Sequence, residues 1–342
     1  MLLVILGAGA SADSLVSRQD GPWRPPLANE LFDARFHELL VRYTGAVVLG
    51  ERVRTGITRG ESLEQVLFRL QAETTDPSRP GQILGLQFYL QHLLWNCGAR
   101  WGDAEAGMNN YLTLVNDLEE WRSRANERIA YVTFNYDTML EASLRKRFGW
   151  AFDKLDDYLR DDYVVLKVHG SANWMQLTDH ATVEGEGVTR EQLIEAAGSL
   201  QRRDAFIVAG PGTVQYALNG VVPAIAIPAE PKAGFVCPAA HVRALTELLP
   251  RVERVLCVGW RGADRSLLEL LKEHAQEGIE TTVVTGRPRG PNGERLDPDV
   301  VDCDRGRASW VAEAGSTGPC RVIRSGFSGF VGPFLPEFIG SM

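Results

Sequence analysis

The stretch LLVILGAGAS, residues 2–11, decides the fold class of this chain. Its five consecutive apolar residues end at a glycine, which is typical of a strand buried on both faces of a parallel sheet. The segment that follows, GAGASADS, consists of small and polar residues, and we expect a helix to begin within it. A strand, a glycine turn and a helix in this order form the first unit of a Rossmann-type fold.

Apolar runs of the same kind recur along the chain and alternate with helical patterns. They predict strands at residues 129–134, 164–168, 254–260, 280–285 and 320–323, and helices at residues 137–148 and 264–277. The polar segment between the last two strands, residues 286–299, is predicted to be a loop. Strands that alternate with helices imply an α/β fold, here a Rossmann-like parallel sheet with helices on both faces.

A long helical pattern separates the first predicted strand from the second. The apolar residues of segment 63–70 fall at i, i+3, i+4 and i+7, and Ser62 with Gln65 fits a capping box before them. Segments 83–94 and 111–118 repeat the helical period. We therefore predict a helical insert module over about residues 27–127.

The remaining segments complete a prediction for the domain organisation. Residues 175–235 have Pro- and Gly-rich ends and one predicted helix near 191–200, which indicates a small insert or flap. We expect a single domain over residues 1–342. Its Rossmann core would comprise approximately residues 1–26, 128–174 and 236–330.

Composition and charge limit the possible functions. The chain has 44 acidic and 36 basic side chains and a net charge of −8, so it lacks the overall basic character that phosphate contacts to nucleic acid favour. No apolar stretch approaches the roughly 20 residues needed to span a bilayer, and the apolar N-terminus lacks the basic segment of a signal peptide. We expect a cytoplasmic protein that binds neither membranes nor nucleic acid directly.

The cysteines give no sign of a metal site. They are scattered and contain no C-x-x-C pair, which a structural zinc site or a disulfide framework would need. The five positions are Cys97, Cys237, Cys257, Cys303 and Cys320. We expect buried, reduced thiols and no metal.

The glycine turn is the first candidate binding element. Gly7 and Gly9 would let the backbone approach a pyrophosphate, and a helix N-terminus beside Ser11 would supply unpaired N–H groups. The turn lacks the third glycine of the full dinucleotide motif, and no acidic residue is clearly placed about 20 positions further on. A nucleotide site and a tight structural turn therefore both stay open.

A second candidate, TFNYD, occupies residues 133–137 at the end of a predicted strand. Open parallel sheets bind ligands at the carboxyl ends of their strands. The amide of Asn135 can donate and accept hydrogen bonds, which suits a ribose hydroxyl or a water. Alternatively, Asn135 or Asp137 starts the next helix as its N-cap.

The third candidate, KVHGSANW, occupies residues 167–174, also at a strand end. Gly170 and Ser171 form a turn that would expose His169, and an imidazole with a pKa of about 6.5 can act as a base at neutral pH. A purely structural histidine is the alternative. Trp174 either stacks on a base or, as we prefer, fills the core.

Together the three motifs GAGAS, F-N-Y-D and V-H-G-S-x-N-W resemble the sirtuin-like domains of bacterial antiphage defence systems, which are divergent relatives of the sirtuin deacetylases. Residues 258–271, VGWRGADRSLLELL, are similar to the strand–loop–Asp–helix segment of this family. Residues 24–32, RPPLANELF, resemble the stretch that opens its helical insert. The resemblance covers nearly the whole chain in the expected order.

The resemblance implies roles for individual residues. Asn135 and His169 would be needed to cleave the nicotinamide–ribose bond of NAD, and Asp137 would hold the loop or touch the ribose. Gly259 and Trp260 match the turn that sirtuins place against the ribose and phosphate, although the serine of that turn is absent here. The pyrophosphate would lie on the glycine turn, at Gly7, Ala8, Gly9, Ala10 and Ser11.

The function implied by the resemblance is that of an NAD+ hydrolase, with NAD+ as substrate, water as nucleophile and no metal. The defence-type domains also lack the C-x-x-C zinc ribbon of protein-deacylating sirtuins. An NAD-dependent protein deacylase and a non-catalytic NAD or ADP-ribose sensor remain alternatives, and hydrolysis is not distinguished from cyclisation. Because unrestrained NAD destruction would poison the cell, we expect a homo-oligomer or a separate activating partner, such as an ATPase or an Argonaute-like protein.

Overall fold

The computed structural model describes residues 1–15, 21–73, 75–102, 108–180, 188–210, 220–227, 234–287, 297–302, 314 and 317–342. Its strands are β1 (Leu2–Leu6), β2 (Ile129–Thr133), β3 (Tyr163–Lys167), β4 (Gly170–Thr178), β5 (Arg202–Val208), β6 (Val221–Ile225), β7 (Arg254–Val258), β8 (Glu280–Val284), β9 (Asp299–Asp302) and β10 (Cys320–Arg324). Within these ranges, seven strands form one sheet in the order β3-β2-β1-β7-β8-β10-β9, and three form a second sheet in the order β5-β4-β6.

The helices alternate with the strands of the larger sheet. They are α1 (Ala8–Ala12), α2 (His37–Leu40), α3 (Thr44–Thr58), α4 (Leu63–Ala72), α5 (Arg79–Gly102), α6 (Asn110–Ala125), α7 (Met139–Phe148), α8 (Arg190–Glu195), α9 (Ala239–Leu248), α10 (Arg265–His274), α11 (Gly326–Gly329) and α12 (Leu335–Gly340). Short 3-10 turns lie at Ala28–Glu30, Ala34–Phe36, Leu155–Tyr158 and Leu249–Arg251, and a π-helical turn at Phe330–Phe334.

The larger sheet is parallel except at one edge. In the centre, β1 pairs with β2 and β7, which sets Leu6 beside both Thr133 and Val258. The carboxyl ends of the neighbouring strands therefore lie at one edge of the sheet, where parallel sheets bind ligands. Only β9, at the far edge of the described sheet, runs antiparallel to its neighbour β10.

Both faces of the sheet are covered by helices. Because side chains alternate along a strand, Val4 and Leu6 enter one core together with residues of α6 and α7, whereas Leu3 and Ile5 enter another together with residues of α9 and α10. Burial on both faces explains why β1 is apolar throughout. The predicted α/β class, with a Rossmann-like parallel sheet between two helical layers, is confirmed.

The helical segment 27–127 divides between two cores. The apolar residues of α6 pack against the large sheet. Helices α2 to α5 instead form a third core together with the second sheet. The predicted capping box is confirmed, since the Gln65 N–H donates to Ser62 Oγ (3.1 Å) and the Ser62 N–H to Gln65 Oε1 (3.0 Å).

The second sheet begins earlier than the predicted insert. Residues 170–174, which we placed in the core segment 128–174, form the start of β4. Two side chains of α5 attach this sheet to the helices, because Gln87 Nε2 donates to the Ile225 carbonyl (2.8 Å) and Gln91 Nε2 to the Trp174 carbonyl (3.0 Å). The helix predicted near 191–200 is the shorter α8. Much of the Pro- and Gly-rich sequence of segment 175–235 lies outside the described residues.

Strand ends and one edge strand differ from the sequence-based prediction. The strand predicted at 254–260 stops at Val258, because Gly259 turns the chain with a φ of 65°. The loop predicted at 286–299 overlaps the start of β9, a short polar edge strand that lacks an alternating apolar pattern. Residues 288–296 of that loop lie outside the described residues.

The cysteines only partly match the expectation. Cys97, Cys237 and Cys257 are buried and free, and burial raises the pKa of each thiol to about 12. Cys320 is disulfide-bonded, so the expectation of a reduced thiol is wrong there. Scattered spacing along a sequence does not reveal which cysteines become neighbours in the fold. Cys303 lies outside the described residues.

The described ranges show neither a metal cluster nor a membrane-spanning helix. In those ranges no three His, Cys, Asp or Glu side chains are grouped closely enough to hold a metal ion. None of the helices there is both long and apolar enough to cross a bilayer.

Candidate active site

The sequence motifs lie next to one another, each at the carboxyl end of a strand of the large sheet. The glycine turn follows β1, the TFNYD loop follows β2, His169 follows β3, and Gly259 follows β7. Since Thr133 pairs with Lys167 and Leu6 with Thr133 and Val258, these four segments start at the same level. The candidate site is therefore the carboxyl edge of β1, β2, β3 and β7.

The glycine turn packs backbone to backbone against the turn after β7. The Gly7 N–H donates to the Val258 carbonyl (3.0 Å) and the Gly9 N–H to the Gly259 carbonyl (3.1 Å). A Cβ on Gly7 would lie 2.5 Å from Gly259 O, and a Cβ on Gly259 would lie 2.3 Å from Ala10 N. Glycine is thus required by the protein's own close approach, while Ala8 at the tip of the turn is exposed.

Ser11, Tyr111, Asn135 and Asp137 form one buried hydrogen-bonded group. Ser11 Oγ donates to Asp137 Oδ2 (2.6 Å) and lies 2.8 Å from Tyr111 Oη. Asn135 Nδ2 lies 2.9 Å from both Ser11 Oγ and Tyr111 Oη and donates to them. Asp137 Oδ1 accepts from the Met139 N–H (3.1 Å) at the start of α7. The group ties the glycine turn to the TFNYD loop.

One atom of this group has no partner. Asn135 is 6% exposed, and among the described residues its Oδ1 is buried without any hydrogen bond. Buried polar atoms are rarely left unsatisfied, and exceptions in native proteins often mark a functional site. Asn135 therefore presents an acceptor that a hydroxyl or a water can satisfy.

His169 forms a buried pair with Asp264. Its Nε2 lies 2.7 Å from Asp264 Oδ2, and both side chains are 1% exposed. Asp264 Oδ1 accepts from the Leu267 N–H (2.9 Å) and so caps α10. Burial and the negative charge of Asp264 raise the pKa of Tyr136. Because an ionised carboxylate only accepts, the pair places a proton on Nε2 of His169.

Aromatic rings connect this pair to the other motifs. Phe134 stacks on Trp260 with ring centroids 5.0 Å apart and meets the His169 ring edge-on at 4.8 Å. Tyr136 lies on the other side of Asn135 in sequence and stacks against His169 at 6.4 Å. His169 thus packs against both residues that flank Asn135 in the sequence, and Trp260 packs against Phe134, which is one of them. Trp260 itself is largely buried and acts here by packing.

A buried ion pair also stabilises the loop that carries Asn135 and Asp137. Lys167 Nζ lies 3.0 Å from Glu141 Oε1, with side-chain exposures of 0% and 4%, and it also donates to the Asp137 carbonyl. Tyr158 Oη donates to the same Glu141 oxygen (3.3 Å). Lys167 therefore holds the backbone of the loop that carries Asn135 and Asp137.

We predict that Lys167→Met lowers the free energy of unfolding by about 3 kcal/mol or more, because it leaves the Glu141 carboxylate buried without its cation. The double variant Lys167→Met/Glu141→Gln removes both charges and is expected to regain most of the loss. Urea denaturation of the two variants and the wild type measures both effects. A single variant as stable as the wild type would contradict the importance of the pair.

Trp174 fills the core, as preferred from the sequence. It is fully buried and packs edge-on against Tyr158 (5.1 Å) and His241 (5.3 Å). Burial lowers the pKa of His241 to about 4. The neutral imidazole is therefore the form that fits this core.

We predict that His241 makes the fold acid-sensitive. Between pH 6.5 and 4 the unfolded chain protonates this histidine while the folded chain does not, so stability is complete above about pH 6.5 and falls by about 3 kcal/mol toward pH 4. In His241→Phe this part of the loss should disappear. Urea denaturation at pH 7 and pH 4.5 measures it, with the exposed His37→Gln as control. An unchanged pH dependence in His241→Phe would exclude this origin.

Two residues of the site were not found from the sequence. Tyr111 belonged to an apolar helical pattern, and nothing near it indicated a polar partner 100 positions away at Ser11. Asp264 fell at the start of a predicted helix, within segment 258–271, and no role in the site was assigned to it. Only the fold brings its second oxygen to His169.

Comparisons with solved structures find Sir2 proteins. A crystal structure of a Sir2 homologue–NAD complex is similar with a TM-score of 0.39 and 12% identity over 99% of this chain and 89% of that chain. An ADP-ribose complex of a mutant Sir2 homologue gives 0.41 and 11% over 99% and 92%. A structure described for the mechanism and regulation of Sir2 enzymes gives 0.38 and 13% over 99% and 92%. No protein-family model matches the sequence, and no curated protein does.

Proposed function

We propose that the chain is an NAD+ hydrolase that cleaves the nicotinamide–ribose bond to give nicotinamide and ADP-ribose. The observation that carries the proposal is the buried, unpartnered Oδ1 of Asn135 at the carboxyl edge of the parallel sheet. The buried His169–Asp264 pair beside the same loop supports it, because it supplies a base with a fixed tautomer. The resemblance of the motifs to sirtuin-like domains supports the choice of NAD.

The glycine turn is the proposed position of the NAD pyrophosphate. Gly7 and Gly9 use their N–H groups on backbone carbonyls of the neighbouring turn. The exposed tip at Ala8 is therefore the part of the turn that a phosphate would approach, with Ala10 and Ser11 behind it. Gly259 and Trp260 would line the adjacent side, and Asp137 would hold the loop through Ser11.

The proposed reaction needs little acid catalysis. As the C1′–N bond breaks, its electron pair stays on the nicotinamide nitrogen, so the leaving group departs as a neutral amine and the ribose becomes oxocarbenium-like. The site must then position a nucleophile on the freed face of the ribose. Asn135 Oδ1 accepts a hydrogen bond from the water, or from a ribose hydroxyl that orients it.

His169 is the proposed base. The water oxygen bonds to C1′ and its proton passes to the imidazole, which later releases it to solvent. Asp264 keeps the Nε2 proton in place and stabilises the imidazolium that forms. The same pairing of imidazole with a buried carboxylate orients and stabilises the histidine in hydrolytic triads.

The wider biological proposal rests on the resemblance. We propose a single domain over residues 1–342, in the cytoplasm, that depletes NAD as a regulated effector of antiphage defence. Its activity would be restrained by homo-oligomer assembly or by a separate partner such as an ATPase or an Argonaute-like protein.

The test is to incubate the purified chain with NAD+ and to separate the products by chromatography, with and without a peptide that contains acetyl-lysine. We expect nicotinamide and ADP-ribose in equal amounts without the peptide. Release only with the peptide, together with its deacetylation, would indicate the deacylase. Binding of NAD without release would indicate either a missing activating partner or the sensor, and a cyclic product would indicate cyclisation.

A further inference from the structure

Tyr111 extends from α6 into the group that holds Asn135. Its side chain is buried, with an exposed fraction of 1%, and its ring packs edge-on against Phe327 with centroids 5.4 Å apart. Burial and the negative charge of Asp137 raise its pKa, so the phenol keeps its proton. Tyr111 can therefore donate one hydrogen bond and accept others.

The hydrogens in this group can be counted. Its oxygens and nitrogen make four short contacts, Ser11 to Asp137 (2.6 Å), Ser11 to Tyr111 (2.8 Å), and Asn135 to Ser11 and to Tyr111 (2.9 Å each). Each contact needs one hydrogen. The two hydroxyl groups supply two, the Asp137 carboxylate supplies none, and so the other two must come from the Asn135 amide.

The count fixes the orientation of the amide. If the Asn135 side chain were rotated by 180° about its last bond, its oxygen would face Ser11 and Tyr111, and only two hydrogens would remain for four contacts. Oxygen atoms would then meet at less than 3 Å without a hydrogen between them. The structure therefore requires Nδ2 to face Ser11 and Tyr111, which leaves Oδ1 as the buried amide atom without a partner among the described residues.

We propose that Tyr111 is a positioning residue which, with Ser11, fixes the Asn135 amide so that its oxygen is presented to the substrate. The inference rests on the proposed function for the identity of that substrate. The group recognised by Oδ1 must carry an O–H donor, which a ribose hydroxyl or the attacking water provides. The opposite orientation would direct Nδ2 at a lone pair of the water, which the attack on C1′ requires.

The variant Tyr111→Phe tests this role with the smallest change of shape. It removes one acceptor of Asn135 Nδ2 and one donor to Ser11 Oγ. We expect kcat for nicotinamide release to fall about tenfold or more while KM for NAD changes less than about twofold, the difference that a lost buried hydrogen bond makes. A purely structural tyrosine would lower stability and leave kcat of the folded fraction unchanged.

A matched control lies in the same core. Tyr131 is fully buried on β2, and its hydroxyl has no hydrogen-bond partner among the described residues. Tyr131→Phe therefore removes the same atom from a comparable environment without touching Asn135. We expect its kcat and KM to equal those of the wild type.

A second measurement follows hydrogen exchange of the Asn135 side-chain amide in the absence of substrate. In 15N-labelled protein, the side-chain amide hydrogens of Asn135 are identified by their loss in Asn135→Ala, and their exchange with solvent is followed by NMR. We expect exchange to become at least about tenfold faster in Tyr111→Phe and to stay unchanged in Tyr131→Phe. This result is independent of NAD cleavage. Unchanged exchange in Tyr111→Phe, or unchanged kcat where the wild type releases nicotinamide, overturns the proposal.

Discussion

Replacing Asp264 by Asn is expected to lower kcat for nicotinamide release by about 10²–10⁴-fold, the range that a positioned general base contributes. Asp264 accepts the Nε2 proton of His169 at 2.7 Å, which leaves the lone pair of the neutral ring on Nδ1. An amide at this position would direct its NH2 group at Nε2. The proton of the imidazole would then move to Nδ1, and the ring could no longer accept a proton there.

The same substitution should leave the fold intact. Asp264 Oδ1 caps α10 by accepting from the Leu267 N–H, and asparagine caps helices as well as aspartate does. An effect on kcat without a change in the urea midpoint therefore separates catalysis from stability. Asp299→Asn, the equivalent change at the partly exposed ion pair with Arg324, is the control. A rate for Asp264→Asn within about twofold of the wild type would contradict the role of the pair.

Replacing Asn135 by Ala is expected to lower kcat by about 10³-fold or more, because it removes the acceptor that orients the nucleophile. Ser11 and Tyr111 keep their hydrogen bond to each other, and Ser11 keeps Asp137, so the surroundings of the lost side chain persist. Binding of ADP-ribose, measured by calorimetry, should change far less than kcat.

The control for this substitution is another buried asparagine. Asn173 is 8% exposed and accepts from Ser171 Oγ (2.6 Å) in the second sheet, outside the Ser11 group. Asn173→Ala loses a hydrogen bond of similar burial, and we expect it to keep kcat within about threefold. If both variants lost activity equally, the effect of Asn135→Ala would reflect general packing rather than its acceptor.

The large sheet was predictable because its central strands can be recognised from their apolar composition alone. Residues 2–6 and 129–132 are apolar throughout, and burial on both faces requires that composition whatever the rest of the chain does. Strand ends were less certain. They depend on backbone angles such as the positive φ of Gly259, which the apolar pattern does not express.

The second sheet and the polar contacts of the site were not predictable in the same way. Strand β4 contains Ser171 and Asn173, two polar residues of the H-G-S-x-N-W motif. Its residues pair with residues of β5 and β6 up to 55 positions away, as Gly170 does with Ile225, so no local period marks it. The four contacts around Asn135 join segments separated by 24 to 126 positions. Sequence motifs named Asn135, Asp137 and His169, and the fold supplies Tyr111 and Asp264 as their partners.

The most direct test of the central claim is to incubate the wild type and Asn135→Ala with NAD+ at equal protein concentration and to measure nicotinamide over time. The account predicts that the wild type releases nicotinamide with an equal amount of ADP-ribose, and that Asn135→Ala binds NAD+ but releases almost none. Release by Asn135→Ala at the wild-type rate would contradict it.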